Sequence, residues 1–171
     1  MISSYLFLRL IHDCRCSYIN KNIGMRTTYI RDGRAPIPKK ESTSRVMRAN
    51  KAKNTKPELL LRQALYNNGL RGYRLHWKKV PGHPDIAYPG KRIAIFVNGC
   101  FWHRCPHCNP SIPKTNKLFW QKKFQANAER DLRKNKEIKK KGWTVIVVWE
   151  CQINNRIDWT IQKIKKIIDR K

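Results

Sequence analysis

The sequence predicts an α/β layer fold with a mixed central sheet, and three observations predict it. Two mostly apolar runs, at 92–97 and 143–149, read as strands buried on both faces. Segments with apolar residues at helical spacing flank them. The predicted elements run helix, three strands, helix, strand, helix, an order that layers helices against a sheet. The chain has 171 residues, which suits one domain with a core that does not depend on disulfides.

Residues 1–24 look foreign to the rest. The apolar run at 5–11 is broken by Arg9, and it has neither a positive start nor a small-residue cleavage site, so it does not read as a secretory signal. It is read as an extension or a misassigned start, with Met25 as the true one. Residues 25–43 hold Gly33, Pro36, Pro38, Lys39 and Lys40 without periodicity, and read as a flexible basic arm along phosphates. The folded domain is expected at 44–171.

Within it, 45–53 is expected to be a short polar helix or turn. Thr55, Pro57 and Glu58 then mark a helix start, with Thr55 as N-cap and Glu58 completing a capping box. Leu60, Leu61, Ala64 and Leu65 are expected on its apolar face, and Gly69 at its end. Residues 73–77 alternate like a strand. A Pro-Gly-His-Pro turn at 81–84 leads into a second strand at 85–88, and the run at 92–97 is the third. Residues 98–116, rich in Cys, His and Pro, have no period. A long basic helix follows over 117–141, with Phe124, Ala128 and Leu132 at four-residue steps and Gly142 as its stop. After the strand at 143–149, the last helix is expected to pack through Trp159, Ile161, Ile164 and Ile168.

Thirty-eight Lys+Arg against 11 Asp+Glu give a net charge of +27, which points to a polyanionic partner. Six Trp favour nucleic acid over an anionic membrane, because indoles stack on bases or wedge between them. No apolar run approaches the ~18 residues of a membrane span. The few acids become informative: beyond residue 44 they are Glu58, Asp85, Glu129, Asp131, Glu137, Glu150, Asp158 and Asp169. A carboxylate on a phosphate-binding surface repels its ligand unless a cation lies between them, so a catalytic metal must be held by members of this group.

Cys100, Cys105 and Cys108 are spaced C-x4-C-x2-C, with His103 and His107 among them, and Cys151 follows the last strand. Four thiolates, or three and His107, fill the tetrahedral shell of a structural zinc that staples the loop. Pairing of the strands at 92–97 and 143–149 brings Cys151 under that loop.

The segment Val97-Asn98-Gly99-Cys100-Phe101-Trp102-His103 resembles the signature of the very short patch repair (Vsr) DNA mismatch endonucleases. Met47-Arg48-Ala49, Thr55-Lys56-Pro57-Glu58 and Pro81-Gly82-His83-Pro84-Asp85 match upstream; Asn127-Ala128-Glu129-Arg130-Asp131 and Val148-Trp149-Glu150-Cys151 match downstream. The resemblance covers roughly 44–152. It implies a restriction-endonuclease-like three-layer fold with a zinc-stapled loop. It also implies a magnesium-dependent enzyme that nicks one strand of double-stranded DNA beside a thymine–guanine mispair, in bacterial repair of deaminated 5-methylcytosine. Such an enzyme is expected to be a cytoplasmic monomer that meets other repair proteins on DNA.

The resemblance also assigns residues. Asp85, which otherwise reads as a turn Asp bonded to its own backbone, becomes the magnesium ligand at the scissile phosphate. His103 becomes the general base, a task suited to an imidazole, which leaves zinc to Cys100, Cys105, Cys108 and Cys151, with His107 as the spare ligand. Glu58 becomes the acid near the metal-bound water, although its capping box would explain it in any helix. Asp131 either orients His103 or pairs with the basic helix. Asn98 departs from the pattern, which has a His contacting phosphate there; an amide donates a hydrogen bond but carries no charge. Phe101, Trp102 and Trp120 match the aromatics that wedge into DNA, where their alternative is core packing. Asn98 motivates a second reading, a zinc-stabilised DNA-binding protein that has lost cleavage; a third is a similar nicking enzyme with other sequence specificity.

Overall fold

The computed structural model describes residues 40–171. The expectations for 1–24 and for most of the basic arm lie outside the described residues. Helices α1 (Glu41–Ala49) and α2 (Lys56–Asn67) come first, then strands β1 (Arg74–Leu75), β2 (Ile86–Tyr88) and β3 (Ile93–Asn98). Helix α3 (Lys117–Lys140), strand β4 (Thr144–Trp149) and helices α4 (Glu150–Asn155) and α5 (Ile157–Asp169) complete the chain. Helix α1 begins three residues before the expected domain start.

The sheet is mixed, in the order β1-β2-β3-β4. Strands β1, β2 and β3 pair antiparallel; β3 and β4 pair parallel, from Ile93 opposite Thr144 to Asn98 opposite Trp149. Period-two alternation sends Ile93 and Ile95 of β3 into a core with Ile146 and Val148 of β4, Leu61 and Leu65 of α2, and Ile153, Ile161, Ile164 and Ile168 of α4 and α5. The opposite face, with Ala94, Phe96 and Val145, packs on Ile138 of α3, Val80, Trp77 and Trp143. Helices therefore cover both faces of β3 and β4, which explains why both strands are apolar throughout.

Tertiary packing changed several details. The first strand shrinks to two exposed residues because His76, at φ +45°, leaves the extended region. Leu60 is exposed: α2 turns its Glu58–Leu61–Leu65 stripe inward, and Leu60 lies about 100° off it. On α3, Leu132 and Ala128 face solvent, and the inward stripe is Phe124, Asn127 and Ile138. Trp159 is exposed on α5 with the Lys163 ammonium 5.3 Å from its ring centroid, while Thr160 takes the inward position and gives its hydroxyl proton to the Arg156 carbonyl. The single terminal helix is divided into α4 and α5 at Arg156. Residues 45–53 are helical only as far as Ala49. No helix among the described residues is long and apolar enough to cross a membrane.

Candidate active site

Several elements meet at an open cleft of about 730 Å³ beside the carboxyl end of β3. The turn into β2 brings Asp85, the end of β3 brings Asn98, and the inward stripe of α3 brings Asp131 and Lys134. His103 enters from the loop after β3, and Glu58 from the first turn of α2. The turn at 81–84 packs closely on α3: a Cβ at Gly82 would lie 3.3 Å from the Lys134 side chain, and its φ of +79° also favours glycine.

Asp85 stands one residue before β2. Its Oδ2 accepts the Val97 N–H at 2.7 Å, and Oδ1 accepts no hydrogen bond among the described residues. Burial pushes its carboxyl above the usual range; the Val97 N–H opposes this, and the nearby Glu58 carboxylate adds to it. Glu58 is buried with both oxygens engaged. Its Oε1 accepts the Thr55 hydroxyl at 2.9 Å and the Thr55 N–H at 3.4 Å, the expected capping box. Its Oε2 accepts the Asn54 N–H at 3.0 Å and Arg62 at 2.9 Å.

His103 Nδ1 lies 2.5 Å from Asp131 Oδ2, both side chains about one quarter exposed. Since an ionised carboxylate can only accept, the pair assigns the ring proton to Nδ1 and leaves Nε2 free to take a proton. Asn98 lines the same cleft.

The cysteines form a second cluster, with Cys100 and Cys105 buried, Cys151 half-buried and Cys108 exposed. The sulfurs of Cys100, Cys105, Cys108 and Cys151 lie within 4.8 Å of one another, and those of Cys105 and Cys151 are 3.7 Å apart. Zn–S bonds of ~2.3 Å in a tetrahedron put sulfurs about 3.8 Å apart, so this spacing suits zinc. Parallel pairing of β3 and β4 delivers Cys151, whose N–H points at Cys100 Sγ at 3.3 Å, while Glu150 accepts the Cys100 N–H at 3.1 Å. His107 lies outside the cluster, edge-on to Trp149. Burial pushes the Cys100 and Cys151 thiols up. Burial also opposes ionisation of Cys105, yet the N–H groups of Cys108 and His107 bring its thiol below the ordinary value.

Phe101, Trp102 and Trp120 are half-buried and packed on one another, with ring centroids 5.2–6.0 Å apart, over the buried Phe124. Asn127 donates to the Trp102 carbonyl at 2.9 Å and so ties this cluster to α3.

The sequence reading missed Arg62 and His76, which lie behind Glu58 and Asp85. Arg62 had a legible signal, four residues from Glu58 on one helix. His76 had none, because it is placed by a left-handed backbone position that no periodicity marks.

A family model described as DNA mismatch endonuclease Vsr matches residues 36–109. A type II nicking enzyme, V.XorIIP, of Xanthomonas oryzae pv. oryzae is 41% identical over 110 residues, 64% of this chain and 80% of that protein. The chain belongs to the Vsr DNA mismatch endonuclease family. The DNA mismatch endonuclease Vsr of Escherichia coli is 37% identical over 123 residues, covering 71% and 78%. The type II nicking enzyme V.NmeAIP of Neisseria meningitidis is 43% identical over 106 residues, covering 61% and 74%. The Vsr family match takes in Glu58, Asp85, Asn98 and His103, whereas Asp131 and Cys151 lie beyond its end.

Proposed function

We propose that this protein is a Vsr-type DNA endonuclease that nicks one strand of a duplex beside a thymine–guanine mispair, using magnesium at Asp85. The observation that carries the reading is one cleft holding both an Asp with an unbonded oxygen and a His–Asp pair with a free ring nitrogen. The mixed sheet with helices on both faces is compatible with a restriction-endonuclease-like fold.

The donor set fits a hard cation. Asp85 Oδ1 accepts no hydrogen bond among the described residues, and burial with Glu58 nearby disfavours the bare charge. When bound at Asp85, magnesium supplies Lewis-acid polarisation of the phosphoryl oxygen and offsets the charge that builds up on it. The protein does the rest. His103 Nε2 takes a proton from the attacking water as its oxygen bonds to phosphorus and the opposite P–O bond breaks, its electron pair leaving on the strand-end oxygen, which takes a proton from solvent. Asp131 holds the imidazole in the right tautomer and stabilises the imidazolium that forms. Asn98 donates a hydrogen bond to the phosphate. Glu58 holds Arg62 and the start of α2, and its carboxylate shares the wall with Asp85.

The four cysteines would hold a structural zinc that ties the loop after β3 to α4, which keeps His103 and the aromatic cluster at the cleft. Phe101, Trp102 and Trp120 wedge into the base stack, where unstacking costs least at a faulty pair. Part of the run of ten basic residues at 117–141 supplies phosphate contacts that salt weakens.

The test is a nicking assay with magnesium on two duplexes that differ only in one thymine–guanine mispair. We expect product from the mismatched duplex alone, and Asp85→Ala should abolish product while retaining binding. Equal cutting of both duplexes removes the mismatch reading in favour of another sequence specificity. Mismatch binding without product at any magnesium concentration supports the non-cleaving reading instead.

A further inference from the structure

The carboxylate that the proposed function assigns to magnesium is flanked by a residue with no part in that account. The backbone N–H of His76 donates to the Asp85 carbonyl at 3.2 Å, continuing the β1–β2 ladder one step past the Leu75–Ile86 pair. Residues opposite each other on an antiparallel pair share a face, and His76 Nδ1 accordingly lies 3.9 Å from Asp85 Oδ1. The other ring nitrogen, Nε2, lies 3.0 Å from an Arg62 terminal nitrogen.

That second contact decides the ring's chemistry. A guanidinium only donates, so Nε2 facing it must accept, and the ring proton is thereby assigned to Nδ1, on the side of Asp85. Arg62 is itself fixed by Glu58 at 2.9 Å and by Asn54 at 2.7 Å. The Asn54 carbonyl oxygen stands 3.5 Å from Nε2 and Glu58 Oε2 stands 3.8 Å away, both farther than Arg62. Glu58, His76 and Asp85 are close enough together to suggest a three-residue metal site. The Arg62 charge between Glu58 and His76 argues against it, because a guanidinium would have to be displaced. His76 also sits at φ +45°, a conformation that a non-glycine residue adopts only when its surroundings hold it there.

We infer that Arg62 and His76 are positioning residues for Asp85: Arg62 sets the tautomer of His76, and His76 directs its Nδ1–H at Asp85 Oδ1. With Val97 N–H on Oδ2, both oxygens of the carboxylate then face a fixed donor, and its plane is set before a cation arrives. This rests on Asp85 being the cation ligand.

Two measurements on the full chain test it, and neither needs turnover. Ring-nitrogen NMR of the metal-free protein should show His76 protonated at Nδ1, and Arg62→Met should shift it toward the Nε2–H form. Mn²⁺ titration by electron paramagnetic resonance should show His76→Gly, which the left-handed backbone accommodates, binding at least about tenfold more weakly than the parent. His76→Asn tolerates the same backbone and keeps an N–H near the Nδ1 position, so it should recover most of that loss. An Nε2–H tautomer in the parent protein overturns the inference. Mn²⁺ binding lost in Asp85→Asn but unchanged in His76→Gly overturns the positioning role alone. Binding unchanged in Asp85→Asn overturns the cation reading, and the purpose assigned to His76 with it.

Discussion

Glu58→Ala separates the structural work of this carboxylate from any chemical work. The side chain is 5% exposed and its Arg62 partner 11% exposed, so their ion pair is out of water. Removing the carboxylate strips four acceptor contacts, from Thr55 twice, Asn54 and Arg62. The Arg62 guanidinium would remain buried, with an Nε that already lacks a hydrogen-bond partner among the described residues. Orphaning one member of a buried pair costs about 3–5 kcal/mol. Arg62 keeps Asn54 and His76, which puts the expectation at the low end, about 3 kcal/mol. For a chain of this size that lowers Tm by roughly 6–12 °C. Thermal melts by circular dichroism read it, and single-turnover nicking well below the new Tm reads chemistry separately. Removing both charges is far less costly than removing one, so Glu58→Ala/Arg62→Met should be more stable than Glu58→Ala alone. A Glu58→Ala melt within about 1 kcal/mol of the parent would refute the reasoning, since surface carboxylates behave that way.

Further outcomes follow from the two sites. Asp85 has a raised folded-state pKa, so its protonated form is stabilising at low pH and that stability is lost as pH rises through the folded value. Asp85→Asn should therefore raise Tm at neutral pH in chelator, with the gain vanishing as pH falls below the ordinary ~3.9 of Asp, as followed by melts across pH. Asp131→Asn replaces an acceptor-only carboxylate by an uncharged amide whose NH2 can face Nδ1 and favour the wrong His103 tautomer, and should lower single-turnover nicking by about 10²–10⁴ with mismatch binding retained, read by gel shift. Elemental analysis should find one zinc per chain. Cys105→Ser, at a buried position, should lower zinc content and Tm together, and a full complement of zinc in that variant would exclude Cys105 as a ligand.

Much of this architecture was legible because its signals are local or periodic. The capping box of α2 is a three-residue pattern whose partners meet as soon as the first turn forms. The apolar runs of β3 and β4 announce strands covered on both faces, and their parallel pairing follows from the long helix that connects them. The cysteine spacing announced the thiol cluster, although only the fold placed His107 outside it, edge-on to Trp149. The inward stripe of α3 was misread for a physical reason. It carries Asn127, which is buried against the Trp102 carbonyl, and Asp131 and Lys134, which face the cleft, and apolar spacing cannot find a face made of polar residues.

The sequence by itself determined the polyanionic partner, the layered fold and the residue types available for chemistry. At +27, each retained carboxylate on the binding side needs a reason. Tertiary structure alone decided how those residues are used. Strand register sets His76 beside Asp85, and helix phase sets Asp131 against His103. The fold also sets Asp85 Oδ2 on the Val97 N–H and leaves Oδ1 without a hydrogen bond among the described residues. These are distances between segments far apart in the chain, fixed by how one core closes, and no local pattern encodes them.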